Sequence, residues 1–134
     1  MHITRVILDL LHYLFERRRR VYPTLADAVQ LTGTTTTWLL GSDTQIVPAS
    51  TITSNFRIRE IVVESVSASI ECELVLYSGT TPTEIGRYRF TGAGRIPVAT
   101  ETILANTRIS AKLANKGTTA RTADVSLGYI LETS

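Results

Sequence analysis

The amino-acid sequence predicts an all-β fold, an antiparallel β-sandwich of the jelly-roll kind, preceded by an N-terminal amphipathic α-helical arm. Three observations predict it. After Pro23 apolar and polar residues alternate with a period of two, as half-buried strands do. Turn signals interrupt that alternation at short spacing: Gly41-Ser42-Asp43, Ser78-Gly79, Gly92-Ala93-Gly94 and Asn115-Lys116-Gly117. Before Pro23 the apolar period is that of a helix.

The arm is placed over residues 1–22. Ile3, Ile7, Leu10 and Leu14 are spaced four, three and four apart, with Val6, Leu11 and Phe15 widening the same stripe. Arg17, Arg18, Arg19 and Arg20 close the segment, where cations favour the negative end of a helix dipole. Pro23 follows as a stop.

The sandwich is placed over residues 23–134. Its clearest strand is Ile70 to Tyr77, with Ile70, Cys72, Leu74 and Leu76 on one face. Phe56 to Val63 is a second, apolar on both faces towards its end. Further strands are expected at Ala28 to Leu31, Trp38 to Leu40, Gln45 to Val47, Glu84 to Phe90, Thr102 to Leu104, Arg108 to Leu113 and Val125 to Leu131. In the last, Val125, Leu127, Tyr129 and Leu131 oppose Asp124, Ser126, Gly128 and Ile130. Threonine, about one residue in six, suits such pleated, half-exposed surfaces. One hairpin can be placed in register. With its tip near Gly79 and Thr80, Cys72 faces Tyr88 and Ile70 faces Phe90 inside, while Glu71 faces Arg89 and Glu73 faces Arg87 outside.

Composition narrows the function. The 134 residues suffice for one domain with a sizeable core, and 43% hydrophobic with 19% charged residues is the balance of a globular chain. A net charge of +2 is too small to indicate nucleic-acid binding by itself. Cys72 is the single cysteine, so neither an intrachain disulfide nor a cysteine-based metal site is expected. No window approaches the roughly 20 apolar residues of a membrane span, and no secretory signal is expected.

Catalytic constellations are not expected either. A nucleophile needs a neighbouring base, but His2 and His12 both lie on the arm and Cys72 alternates with core residues. The histidines are ten residues apart, not the three or four that would place two ligands on one helical face. Glu71 and Glu73 share one strand face at a separation a glycosidase pair could use, but Arg87 and Arg89 are expected to hold both ionised, which makes a poor general acid. Gly92-Ala93-Gly94 lacks the strand-to-helix context of a phosphate loop. No enzyme activity, cofactor or metal is predicted.

Two features point to binding. The apolar stripe of Ile3, Ile7, Leu10 and Leu14 can pack on its own sandwich or on a neighbouring subunit, and both readings stay open. The basic run Arg17, Arg18, Arg19 and Arg20 can stay solvated, meet an acidic protein surface or touch nucleic acid. Direct nucleic-acid binding is the least expected, because the sheet shows no aromatic platform for bases.

The stretches Phe56-Arg57-Ile58-Arg59-Glu60-Ile61, Ile70 to Tyr77, Glu84-Ile85-Gly86-Arg87-Tyr88-Arg89-Phe90, Ile96-Pro97-Val98, Asn106 to Leu113 and Asp124 to Leu127 carry a resemblance. Over roughly residues 52 to 131 the chain resembles small jelly-roll virion structural proteins of tailed bacteriophages, the capsid decoration or cement type. The resemblance implies a virion protein that bridges and stabilises capsid subunits, assembled in the host cytoplasm. It implies the major capsid protein or another virion protein as partner, and a homo-oligomer, a trimer first of all. The arm would be the anchor. The same pattern is shared by tail-fibre, neck and adaptor sandwiches, and a carbohydrate- or receptor-binding module is the competing reading, with Trp38 and Tyr77 as its main ring candidates and Tyr22 as a weaker one.

Overall fold

The computed structural model describes residues 19–132. Nine strands and one short 3₁₀ turn follow in order. They are β1 Arg19–Tyr22, the turn Leu25–Asp27, β2 Val29–Thr32, β3 Thr44–Val47, β4 Phe56–Val66, β5 Cys72–Ser78, β6 Thr83–Phe90, β7 Gly94–Pro97, β8 Ile109–Asn115 and β9 Thr122–Leu131. All pairings are antiparallel.

The strands form two sheets. One is ordered β1-β9-β4-β7, with β2 also pairing β9; the other is ordered β3-β8-β5-β6. Strands β1 and β2 lie end to end along β9, Tyr22 opposite Leu127 and Val29 opposite Val125, so they act as one interrupted strand. Counted so, the sheets run first-eighth-third-sixth and second-seventh-fourth-fifth. That is the strand order of a jelly roll.

The alternation of apolar residues puts one face of each sheet inside. Phe56, Ile58, Ile61 and Val63 of β4 and Val125 and Leu127 of β9 meet Leu74 and Leu76 of β5 and Ile109 and Leu113 of β8. The Phe56 and Tyr129 rings meet edge to face with centroids 5.8 Å apart. The free thiol Cys72 belongs to this core.

Four expectations about the elements need correction. The arm expected over residues 1–22 is not helical at its end, since Arg19–Tyr22 is a strand on β9. Its residues alternate across the sheet, a signal too short to see beside a run of four arginines. Residues 1–18, which hold the rest of the expected helix, lie outside the described residues. Trp38 to Leu40 is not a strand: Trp38 has φ +59°, its amide donates to the Asn115 carbonyl at 3.0 Å, and the Leu39 amide closes a turn on Thr36. Of Thr102 to Leu104, only Ile103 pairs, in an isolated bridge with Phe56. Strand β7 forms where glycines suggested only a turn, with Gly94 at φ +154° leading into Arg95-Ile96-Pro97.

The β5–β6 register is two residues off the expected one. Cys72 faces Phe90, Glu73 faces Arg89 and Leu74 faces Tyr88. The loop is centred later, on Gly79 to Pro82, and a bulge leaves Ile85 without a partner opposite. A slip of two preserves both faces, because the side-chain period is two.

Candidate interaction surface

Each sheet turns one face away from the core, and these two outer faces carry the chain's exposed chemistry. On the β3-β8-β5-β6 sheet the outer face is a network of charge. Arg87 contacts Glu73 at 3.1 Å and Glu84 at 2.9 Å; Arg89 contacts Glu73 at 3.2 Å and Glu71 at 3.4 Å. The expected pairs Glu71–Arg89 and Glu73–Arg87 therefore form, diagonally across the shifted register. The Arg87 hydrogen bond holds the Glu84 carboxyl below the usual carboxylate range. The same face holds the two main candidate sugar-stacking rings, Trp38 and Tyr77, while Tyr22 lies on β1 of the other sheet. Arg89 lies over the Trp38 ring at 4.3 Å, and Lys112 lies over the Tyr77 ring at 5.1 Å. Tyr77 is 9% exposed.

On the other sheet, the register of β9 places Arg19, Arg57, Glu60, Val62 and Arg95 outside. The Glu60 carboxylate sits in the middle, its side chain 7% exposed, with Arg19 at 3.5 Å and Arg95 at 3.1 Å. Gly128 makes this possible. A Cβ there would lie 2.4 Å from Glu60 Cγ, so only glycine lets the glutamate lie across β9. Arg57 pairs with Glu132, which also accepts from the Thr102 hydroxyl at 2.7 Å; the Thr102 bond first, then Arg57, holds its carboxyl below the usual range.

Of the predicted site residues, Ile3, Ile7, Leu10, Leu14, Arg17 and Arg18 lie outside the described residues. Arg19 is brought onto the outer sheet face. Arg20 points to the other side of β1, at the rim of a shallow depression with Thr53, Tyr129 and Leu131. Cys72 is 2% exposed, its thiol 3.3 Å from the Ile70 carbonyl, and burial pushes its pKa up. A cleft of about 410 Å³ lies between the β6 bulge and the 99–102 segment, lined by Glu84, Ile85, Ala99, Thr100, Glu101 and Thr102. It brings no nucleophile and base together. Among the described residues no three His, Cys, Asp or Glu side chains gather as metal ligands, and no helix is long and apolar enough to cross a membrane. Sequence reasoning missed Glu60, Arg95 and Gly128. The signal was present only as parity along β9, where Gly128 stands on the polar side opposite an unusually placed glutamate.

No family model matches the chain, and no curated protein matches it. Solved structures with a similar course include the CBM36-1 domain of a multidomain xylanase from the hindgut metagenome of Trinervitermes trinervoides, at 5% identity and TM-score 0.48, covering 87% of this chain and 99% of that one. A carbohydrate-binding module CBM36 in complex with calcium and xylotriose follows at 13% identity and TM-score 0.43, covering 83% and 98%. The infectious bursal disease virus VP2 subviral particle matches at 16% identity and TM-score 0.43, covering 86% of this chain and 33% of that one. Likenesses this remote carry no argument about function. The strand order itself defines the chain as an antiparallel jelly-roll sandwich.

Proposed function

We propose that this chain is a non-catalytic structural protein of a tailed-bacteriophage virion, a decoration or cement protein that bridges capsid subunits and stabilises the shell. The observation that carries the binding reading is the pairing of the outer-face carboxylates. Glu71, Glu73 and Glu84 are all tied to Arg87 and Arg89, so this face's carboxylates are engaged as ion pairs in a preset protein-contacting surface. The residue pattern over 52 to 131 supplies the virion part of the reading.

In this reading Ile3, Ile7, Leu10 and Leu14 contribute buried apolar area, and Arg17, Arg18, Arg19 and Arg20 meet acidic residues of the neighbouring protein. Binding the assembled shell, but not dispersed subunits, stabilises the shell by linkage. The test is co-sedimentation of the purified chain with assembled phage heads and with dispersed capsid subunits. Saturable binding to heads alone is expected. Binding to a glycan array without binding to heads would replace this reading with a carbohydrate-binding module, for which the covered rings of Trp38 and Tyr77 give no support.

A further inference from the structure

We infer that Glu60 is a latch for both edges of its sheet: its carboxylate ties β1 and β7 to the central strands, and its loss lets those two strands open while the rest of the sandwich stays folded. The sheet runs β1-β9-β4-β7, so β1 and β7 lie at its two margins. Each is four residues long, and neither contains a buried residue. Tyr22 and Ile96 only lean on the core, whereas β4 and β9 bury Ile58, Ile61, Val125 and Leu127 inside it. Packing therefore holds the middle of the sheet more firmly than its margins. Short, weakly buried segments are the parts of a fold that open first.

Glu60 stands on β4, opposite Gly128 of β9 on one side and Pro97 of β7 on the other. Arg19 reaches its Oε2 from β1, diagonally across β9, at 3.5 Å; Arg95 reaches its Oε1 from β7 at 3.1 Å. Each edge strand thus has its own oxygen of one carboxylate. Gly128 leaves the path across β9 open, since a Cβ there would stand 2.4 Å from Glu60 Cγ. Among the described residues β1 and β7 make no other ion pair. Other carboxylates of this face are engaged elsewhere, Glu132 with Arg57 and the Thr102 hydroxyl, Asp124 with the Ser65 hydroxyl. The Glu60 side chain is only 7% exposed, so its charge depends on the two arginines in place of water.

The latch has a defined reach. On the β1 side, opening stops within residues 23–28, because β2 beyond them buries Leu31. On the β7 side it stops at buried Val98, whose amide donates to the Arg59 carbonyl at 2.9 Å. Opening uncovers the backbone of β9 over Leu127 to Ile130 and of β4 over Glu60 to Val63, two ladders then free to pair. Nothing in the latch depends on what the chain binds.

The test is amide hydrogen exchange on the intact chain and on Glu60→Gln, Arg19→Gln and Arg95→Gln, at neutral pH and low ionic strength. Glu60→Gln is expected to speed exchange about tenfold in the laddered amides of both β1 and β7, and to leave β5 and β8 unchanged. Arg19→Gln is expected to do so in β1 alone, and Arg95→Gln in β7 alone. Thermal melts check that each variant folds. If Glu60→Gln fails to fold, the arginine variants carry the test, since their side chains are 41% and 61% exposed in the intact chain. An equal rise in every strand, no rise in a strand that has lost its ion pair, or loosening of both edges by either arginine variant would overturn the inference.

Discussion

Asn115 shows how one residue sets a corner of the molecule. It is fully buried at the end of β8; its side chain donates to the Thr119 carbonyl at 3.0 Å and accepts from the Arg121 amide at 3.3 Å. A Cβ on Gly33 would stand 1.9 Å from its Oδ1, so the neighbouring position must be glycine. Asn115→Ala should cost about 1–3 kcal/mol by stranding buried backbone groups, read as a lower urea midpoint. Burial acts on ionisable groups as well. It raises the pKa of Cys72, Tyr88 and Tyr129, so each folded value lies above its unfolded one. The associated stability is present below the ordinary thiol and phenol range and is lost as pH rises through the folded values. Urea midpoints should therefore fall between pH 8 and pH 11, and Cys72 should react with a thiol reagent only in denaturant. A core cysteine was legible in the sequence because Cys72 alternates with Leu74 and Leu76. The roles of Asn115 and Gly33 were not, because both read as ordinary turn residues until β8, the β8–β9 corner and residue 33 come together.

At the scale of elements, the β5–β6 hairpin separates what alternation determines from what it leaves open. Which residues face inward was legible, since parity along each strand fixes it. The register was not, because a bulge at Ile85 and a loop centred on Gly79 to Pro82 shift it by two without exposing any apolar side chain. The charges tolerate the shift, as Glu73 reaches Arg87 and Arg89 together. A double-mutant cycle with Glu73→Gln and Arg89→Gln should give a coupling of about 0.5–1 kcal/mol that shrinks in high salt. The edges follow a related logic. Strands β1, β2, β3 and β7 are each four residues long, β7 ends on Pro97, and Pro48 follows β3. The long edge strand β6 carries the bulge and presents Arg87 and Arg89, which would oppose their own copies in symmetric pairing near its centre. Such edges resist sheet extension. The same face covers Trp38, the chain's one tryptophan, with Arg89. Arg89→Ala should expose the ring and shift its fluorescence emission to longer wavelength.

The described residues of the whole molecule form a jelly-roll sandwich, and the sequence before them has a different apolar period. The sandwich was legible in outline, because its core faces repeat every second residue and its turns are marked by glycine. The basic run was legible as charge, but the position of Arg19 on a sheet face was not, since no local pattern reveals that β1 joins β9. That position also fixes the proper truncation: removing residues 1–18 leaves β1 whole, whereas removing 1–20 would cut into it. The central proposal is that the chain works by assembly, with the segment before residue 19 as the joining element. Light scattering on the intact chain and on residues 19–134 tests it most directly. The account predicts an oligomer, a trimer first of all, that becomes a monomer on truncation. A monomer in both forms would contradict it.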